Sequence, residues 1–148
     1  MKVTIKLSLS LLLFLLCFIL NGQDFKKLDE KNVDTKQKEF SGKFANDYFS
    51  KQISGGWYQF NKDEATDEII KFLTPEKQKE VYNQLKSTFG AFKSLEYSQT
   101  WFESNSKLVV YRFKSQFGDS SKMEIRVVLN DKGKIAGFFI KPWTENLQ

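Results

Sequence analysis

The spacing of apolar side chains changes near residue 91, from a helical period in the first half to alternation in the second. Asp34 or Thr35 can cap a first helix that ends at 54–56. A second helical segment has Asp67 and Glu68 in its first turn and an apolar cluster at 69–73. A third begins at Thr74 and Pro75 and ends at Gly90, which suits the αL conformation. The apolar residues of the first helix are Phe40, Phe44, Tyr48, Phe49 and Ile53; those of the second are Ile69, Ile70, Phe72 and Leu73; and those of the third are Val81, Leu85 and Phe89.

The second half contains four alternating runs, at 95–103, 108–117, 123–129 and 135–141, with turn residues between them. Alternation predicts half-buried strands. It places Tyr97 and Trp101 on one face of the first strand. Gly137 marks a bulge or a close backbone approach. Residues 57–60 are interpreted as a short helix or turn, and Gln78 as part of a solvent-facing side of the third helix.

This order predicts an α+β fold, with helices on one side of a four-stranded antiparallel meander. We assign residues 23–33 to a flexible leader, 34–143 to a single domain and 144–148 to a tail. Trp143 is expected to cover one end of the sheet.

The N-terminal 22 residues have the layout of a secretory signal peptide. Lys2 and Lys6 precede an apolar run that ends before Asn21 and Gly22. The run is shorter than the ~20 residues that a membrane anchor requires, so we expect cleavage, no stable membrane anchor and an extracytoplasmic location, periplasmic or secreted. Cys17, the only cysteine, would leave with the signal. The remaining chain could then form no disulfide, thiol nucleophile or thiolate metal site.

Composition narrows the possible chemistry further. The chain has no histidine, which removes histidine-dependent catalysis and histidine-ligated metals. Loss of the two signal lysines lowers the net charge from +5 to +3. The basic residues are interspersed with acids and are nearly all lysine, so no nucleic-acid-binding stripe is visible. We predict no metal and no cofactor.

Two segments carry a resemblance to a known family. One is the Leu-Thr-Pro-Glu…Tyr-x-Gln-Leu…Phe-Gly-Ala-Phe-Lys-Ser-Leu pattern at 73–95, and the other is the segment 125–142. Together they resemble DUF3887, a bacterial family of domains of unknown function, over roughly residues 40–143. The resemblance implies an NTF2-like (cystatin-like) cone, in which helices pack into a curled sheet. It implies no catalytic residues.

An enzyme on such a cone would need a buried carboxylate of raised pKa, for which Asp47, Glu103 and Glu124 are the candidates. We expect Asp47 to face water and Glu124 to pair with Arg112 or Lys114. Arg112 and Arg126 could hold an acidic partner, although cross-strand pairs with Glu124 and Glu103 are favoured.

Aromatic residues form 16% of the chain. A core rich in aromatics explains most of them. The functional alternative is that some line the mouth of the cone and bind a planar or apolar ligand. The candidates are Tyr48, Trp57, Tyr58, Tyr97, Trp101 and Tyr111.

The sequence thus favours an exported, non-enzymatic domain that binds a small apolar ligand or a protein partner. A homodimer through the outer face of the sheet remains open. The alternative is an isomerase or lyase that uses one buried carboxylate. A cystatin-like peptidase inhibitor is a third option, but its loops at 118–121 and 130–133 are short and polar.

Overall fold

Five strands form one open antiparallel sheet in the order of the chain: β1 (Phe25–Lys27), β2 (Phe92–Glu103), β3 (Leu108–Phe117), β4 (Ser121–Leu129) and β5 (Ile135–Pro142). Three α-helices precede β2: α1 (Thr35–Ile53), α2 (Asp67–Phe72) and α3 (Pro75–Phe89); a short 3₁₀ helix (Glu30–Asn32) comes before α1. This computed structural model describes residues 24–147. The expected signal peptide lies outside them. Within them, no helix is both long and apolar enough to cross a membrane.

The helix starts follow local chemistry. The Asp34 side chain accepts a hydrogen bond from the Gln37 backbone N–H at 3.0 Å, and Thr74 accepts one from Lys77 at 3.3 Å. These bonds satisfy amide groups that have no partner within the helix. Gly90 ends α3 at φ +92° and ψ 177°. The positive φ was expected, but this ψ lies outside the αL region, in a conformation that essentially only glycine adopts.

The core lies between the helices and one face of the sheet. It contains Phe44, Tyr48 and Phe49 of α1, together with inward-facing residues of the strands. Aromatic rings dominate it: Phe49 stacks on Phe92 at 4.5 Å, and Tyr48 meets Phe138 edge-to-face at 4.8 Å. The prediction of an α+β fold with an antiparallel sheet is confirmed.

The count of four strands was wrong. Residues 25–27, assigned to a flexible leader, form β1 and pair with Trp101–Glu103 at the end of β2. A three-residue strand is too short for alternation to reveal it. Its backbone pairing with β2, rather than its own sequence, defines it.

Residues 57–60 form neither a helix nor a turn, because the Gln78 side chain takes the hydrogen bonds of the Tyr58 backbone. Its Oε1 accepts from the Tyr58 N–H, and its Nε2 donates to the Tyr58 carbonyl, each at 2.9 Å. Gln78 is only 1% exposed, so its assignment to a solvent-facing side was also wrong.

A β-bulge overturns the predicted facing of β2. Tyr97 pairs with Phe113 but Gln99 pairs with Arg112, so Ser98 is an extra residue. An extra residue reverses the alternation beyond it. Tyr97 therefore faces the core side, whereas Trp101 lies on the opposite, outer face.

Candidate functional site

The six candidate aromatic residues do not surround one space. Tyr48 and Tyr111 are core residues, each 1% exposed. Trp57 is 52% exposed beyond the end of α1, and Trp101 lies on the other side of the sheet. The sheet thus separates Trp57 from Trp101, although both were candidates for the mouth of a cone.

The remaining two candidates are half-buried and hydrogen-bonded. The Tyr58 hydroxyl donates to Glu64 at 3.2 Å, and the Tyr97 hydroxyl donates to Glu30 at 3.2 Å. Burial, with a further contribution from Glu64, raises the pKa of Tyr58 to about 12. Both phenols therefore act as neutral donors.

A shallow groove of about 430 Å³ lies between the start of α1, residues 61–64 and Gly133. Its lining combines Phe40 with polar side chains, and none of the six candidate aromatics contributes to it. Within residues 24–147, no group of three or more potential metal-ligating side chains is found.

The candidate carboxylates have ordinary structural partners. Asp47 pairs with Lys43, and its side chain is 43% exposed, so it faces water as expected. Glu103 does not pair with Arg126. Its two oxygens accept from the backbone N–H groups of Asn105 and Ser106 at 2.8 and 2.7 Å. Hydrogen bonds from Ser106 and Asn105 hold the pKa of Glu103 below its usual value.

The third carboxylate, Glu124, lies at the centre of a buried ionic network on the outer face. Arg112 donates to it through Nε at 2.7 Å and Nη2 at 3.0 Å, and Arg126 donates through Nε at 2.5 Å. The side chains of Arg112 and Glu124 are 0% exposed. Burial opposes ionisation of Glu124, but the two arginines outweigh it and lower its pKa.

Residues 143–146, called the C-terminal strap below, cover this network. Arg112 donates to three consecutive backbone carbonyls: Thr144 at 2.6 Å, Glu145 at 3.2 Å and Asn146 at 3.4 Å. The Trp143 ring lies 4.6 Å from the Arg112 guanidinium and 4.7 Å from Lys114 Nζ, in cation–π geometry. Trp143 therefore covers part of the outer face of the sheet and not, as the sequence had suggested, its end, because its ring stacks on Arg112 and Lys114.

Gln99 extends the network to β2. Its Oε1 accepts from Arg112 Nη1 at 2.6 Å and from the Trp101 indole N–H at 3.0 Å. Arg112 therefore joins β2, β4 and the strap. Strand parity predicts the pairing of Arg112 with Glu124. The bonds to the strap have no sequence signature, because backbone carbonyls are the acceptors.

Comparison of the chain with protein-family profiles, with curated proteins and with solved structures finds no match.

Proposed function

We propose that this protein is an exported, non-enzymatic binding domain whose partner is a protein segment that docks on the outer face of the sheet. One observation carries the proposal: this face already holds a peptide. The buried Arg112 binds three successive carbonyls of the C-terminal strap, and Trp143 stacks over it. Backbone-directed hydrogen bonds combined with an aromatic anchor are common in peptide recognition.

A protein segment is favoured over a small apolar ligand by where the aromatic rings lie. Tyr48 and Tyr111 are part of the packed core. Trp57 and Trp101 are on opposite sides of the sheet, so they cannot contact one small molecule. The groove beside Gly133 is shallow and has Phe40 as its one aromatic side chain, so a planar ligand there would stack on a single ring.

The isomerase or lyase alternative requires a carboxylic acid of raised pKa beside a cavity. Glu103 and Glu124 instead have lowered pKa values, and each is occupied by hydrogen bonds. Neither is suited to accept a proton near neutral pH. This supports binding over catalysis.

For the architecture, we propose an NTF2-like cone of the DUF3887 type. The support is the order of helices before a meander, the helices on one face, and the motifs at 73–95 and 125–142. In this arrangement β1 is an additional short edge strand.

Site-specific photocrosslinking in the source organism tests the function. A photoreactive residue replaces Lys114, which is exposed beside the strap, and in a control it replaces Lys79, exposed on α3. We expect a discrete adduct with a second protein at position 114 and not at position 79. Equal labelling at both positions, or at neither, would refute docking on this face.

A further inference from the structure

The outer face of the sheet has an excess of positive positions. Strand register places Arg112, Lys114 and Trp101 on the outer face, together with the residues that pair with them across the strands or lie two positions away along a strand. Three of its positions are acidic: Glu96, Glu103 and Glu124. Six are basic: Lys27, Arg112, Lys114, Lys122, Arg126 and Lys141.

This charge distribution distinguishes between possible occupants. A second copy docking through the same face would bring two positively charged surfaces together, which costs free energy. A segment rich in carboxylates would meet the opposite charge. The occupant that complements this face is therefore acidic.

The strap itself provides a template for such an occupant. Glu145 is exposed, and its carboxylate accepts from the Trp143 indole at 2.9 Å. That hydrogen bond, followed by the charges of Lys114, Arg112 and Lys27, lowers the pKa of Glu145. A carboxylate-bearing segment thus already lies against Arg112 and the exposed Lys114.

We propose, on the basis of the proposed function, that the partner is an extended acidic peptide segment that displaces the C-terminal strap and docks against Arg112, Lys114 and Lys27. The strap then acts as an internal competitor for the same surface. Displacement exchanges the contacts of the strap with Arg112 and Lys114 for equivalent contacts of the incoming segment.

The probe is a fluorescein-labelled peptide of about ten alternating glutamate and valine residues, ~33 Å when extended and long enough to cross five strands. The control peptide has glutamine in place of glutamate. Fluorescence anisotropy measures binding to the full chain at about 0.01 M and 0.15 M salt, where the Debye length falls from ~30 to ~8 Å. We expect the glutamate peptide to bind at least about tenfold more tightly, with the advantage shrinking as salt rises.

Two variants and one control separate the contribution of the lysine charges from competition by the strap. Trp143→Ala loosens the strap and should tighten glutamate-peptide binding about fivefold, because less of the surface is blocked. In that background, Lys27→Gln with Lys114→Gln should weaken binding about fivefold. Lys79→Gln with Lys86→Gln, which removes two exposed α3 charges, should leave it unchanged.

Each other result has a definite meaning. Equal binding of the two peptides refutes an acidic partner but leaves the proposed function standing if position 114 still crosslinks. Unchanged or weaker binding by the Trp143→Ala protein refutes competition by the strap. Absence of peptide binding refutes this inference, and absence of the crosslink as well refutes the proposed function.

Discussion

Substituting Glu124 by glutamine isolates the contribution of the buried ionic network. Glutamine keeps the shape of the side chain but removes the charge that Arg112 and Arg126 share. Its amide N–H₂ is a donor and would face a guanidinium, which has only donors. The guanidinium groups of Arg112 and Arg126 would then remain on the outer face without the carboxylate that pairs with both of them.

The expected destabilisation is large for a single substitution. At about 4 Å and an effective dielectric constant of 20, each ion pair contributes roughly 4 kcal/mol before desolvation is subtracted. Removing one partner from a buried pair typically costs about 3–5 kcal/mol. Since a small domain has only about 5–15 kcal/mol of stability, Glu124→Gln should remove much of it. For a chain of this size the Tm should fall by roughly 12–20 °C.

The assay is urea unfolding followed by circular dichroism, repeated from neutral pH to about pH 3. The folded pKa of Glu124 is lowered from 4.5. Its stabilising contribution is therefore complete above about pH 4.5 and is lost as the pH falls through the folded pKa. The gap between wild type and Glu124→Gln should be widest at neutral pH and should narrow in acid.

The matched control is Glu80→Gln, which breaks an exposed pair with Lys77 at 3.0 Å. We expect a change within about 0.5 kcal/mol, with little pH dependence. A loss below about 1 kcal/mol for Glu124→Gln, or a gap that stays constant down to pH 3, would refute the view that this ionic network is effectively buried.

Three further predictions test the fold. Gly90→Ala should cost about 3 kcal/mol in urea unfolding, because its Cβ would lie 2.5 Å from Gly118 Cα; Gly55→Ala, also at positive φ but in open space, should cost about 1 kcal/mol. Burial raises the pKa of all five tyrosines, so phenolate absorbance should appear above the usual pH 10. The stability that the neutral phenols contribute should be lost as the pH rises through their folded pKa values. A normal tyrosine titration in the folded protein would contradict this. Trp57→Ala should shift the Tm by less than about 3 °C, since Trp57 is 52% exposed; a larger loss in a thermal melt would mean that it packs on the fold.

Local sequence patterns were sufficient to predict most of the fold. The capping oxygens of Asp34 and Thr74 fix helix starts through bonds to residues three positions away. The alternation in β3 and β4 predicts both faces correctly, because no extra residue interrupts their register. Such features depend on neighbours in the chain, which is why the sequence is sufficient to predict them.

The failures occurred where distant contacts decide the local structure. Gln78 holds the backbone of Tyr58 through two hydrogen bonds across 20 positions. The extra residue Ser98 reverses the faces of β2 and sends Trp101 to the outer side. Neither effect has a local sequence signal, so the spacing of tyrosine and tryptophan could not show which of these residues share a face of the sheet.

The ionic network contributes more to the organisation of the outer face than to net stability. Buried ion pairs can often be replaced by well-packed apolar residues without loss of stability, because desolvation offsets most of their attraction. Apolar residues, however, could not donate hydrogen bonds to the backbone carbonyl oxygens of a bound segment. Glu124 fixes one edge of the Arg112 guanidinium, which leaves its Nη groups directed at Gln99 and the strap. A preorganised guanidinium loses little entropy when it binds a peptide, and this is the physical reason to seek the partner of this protein on the outer face.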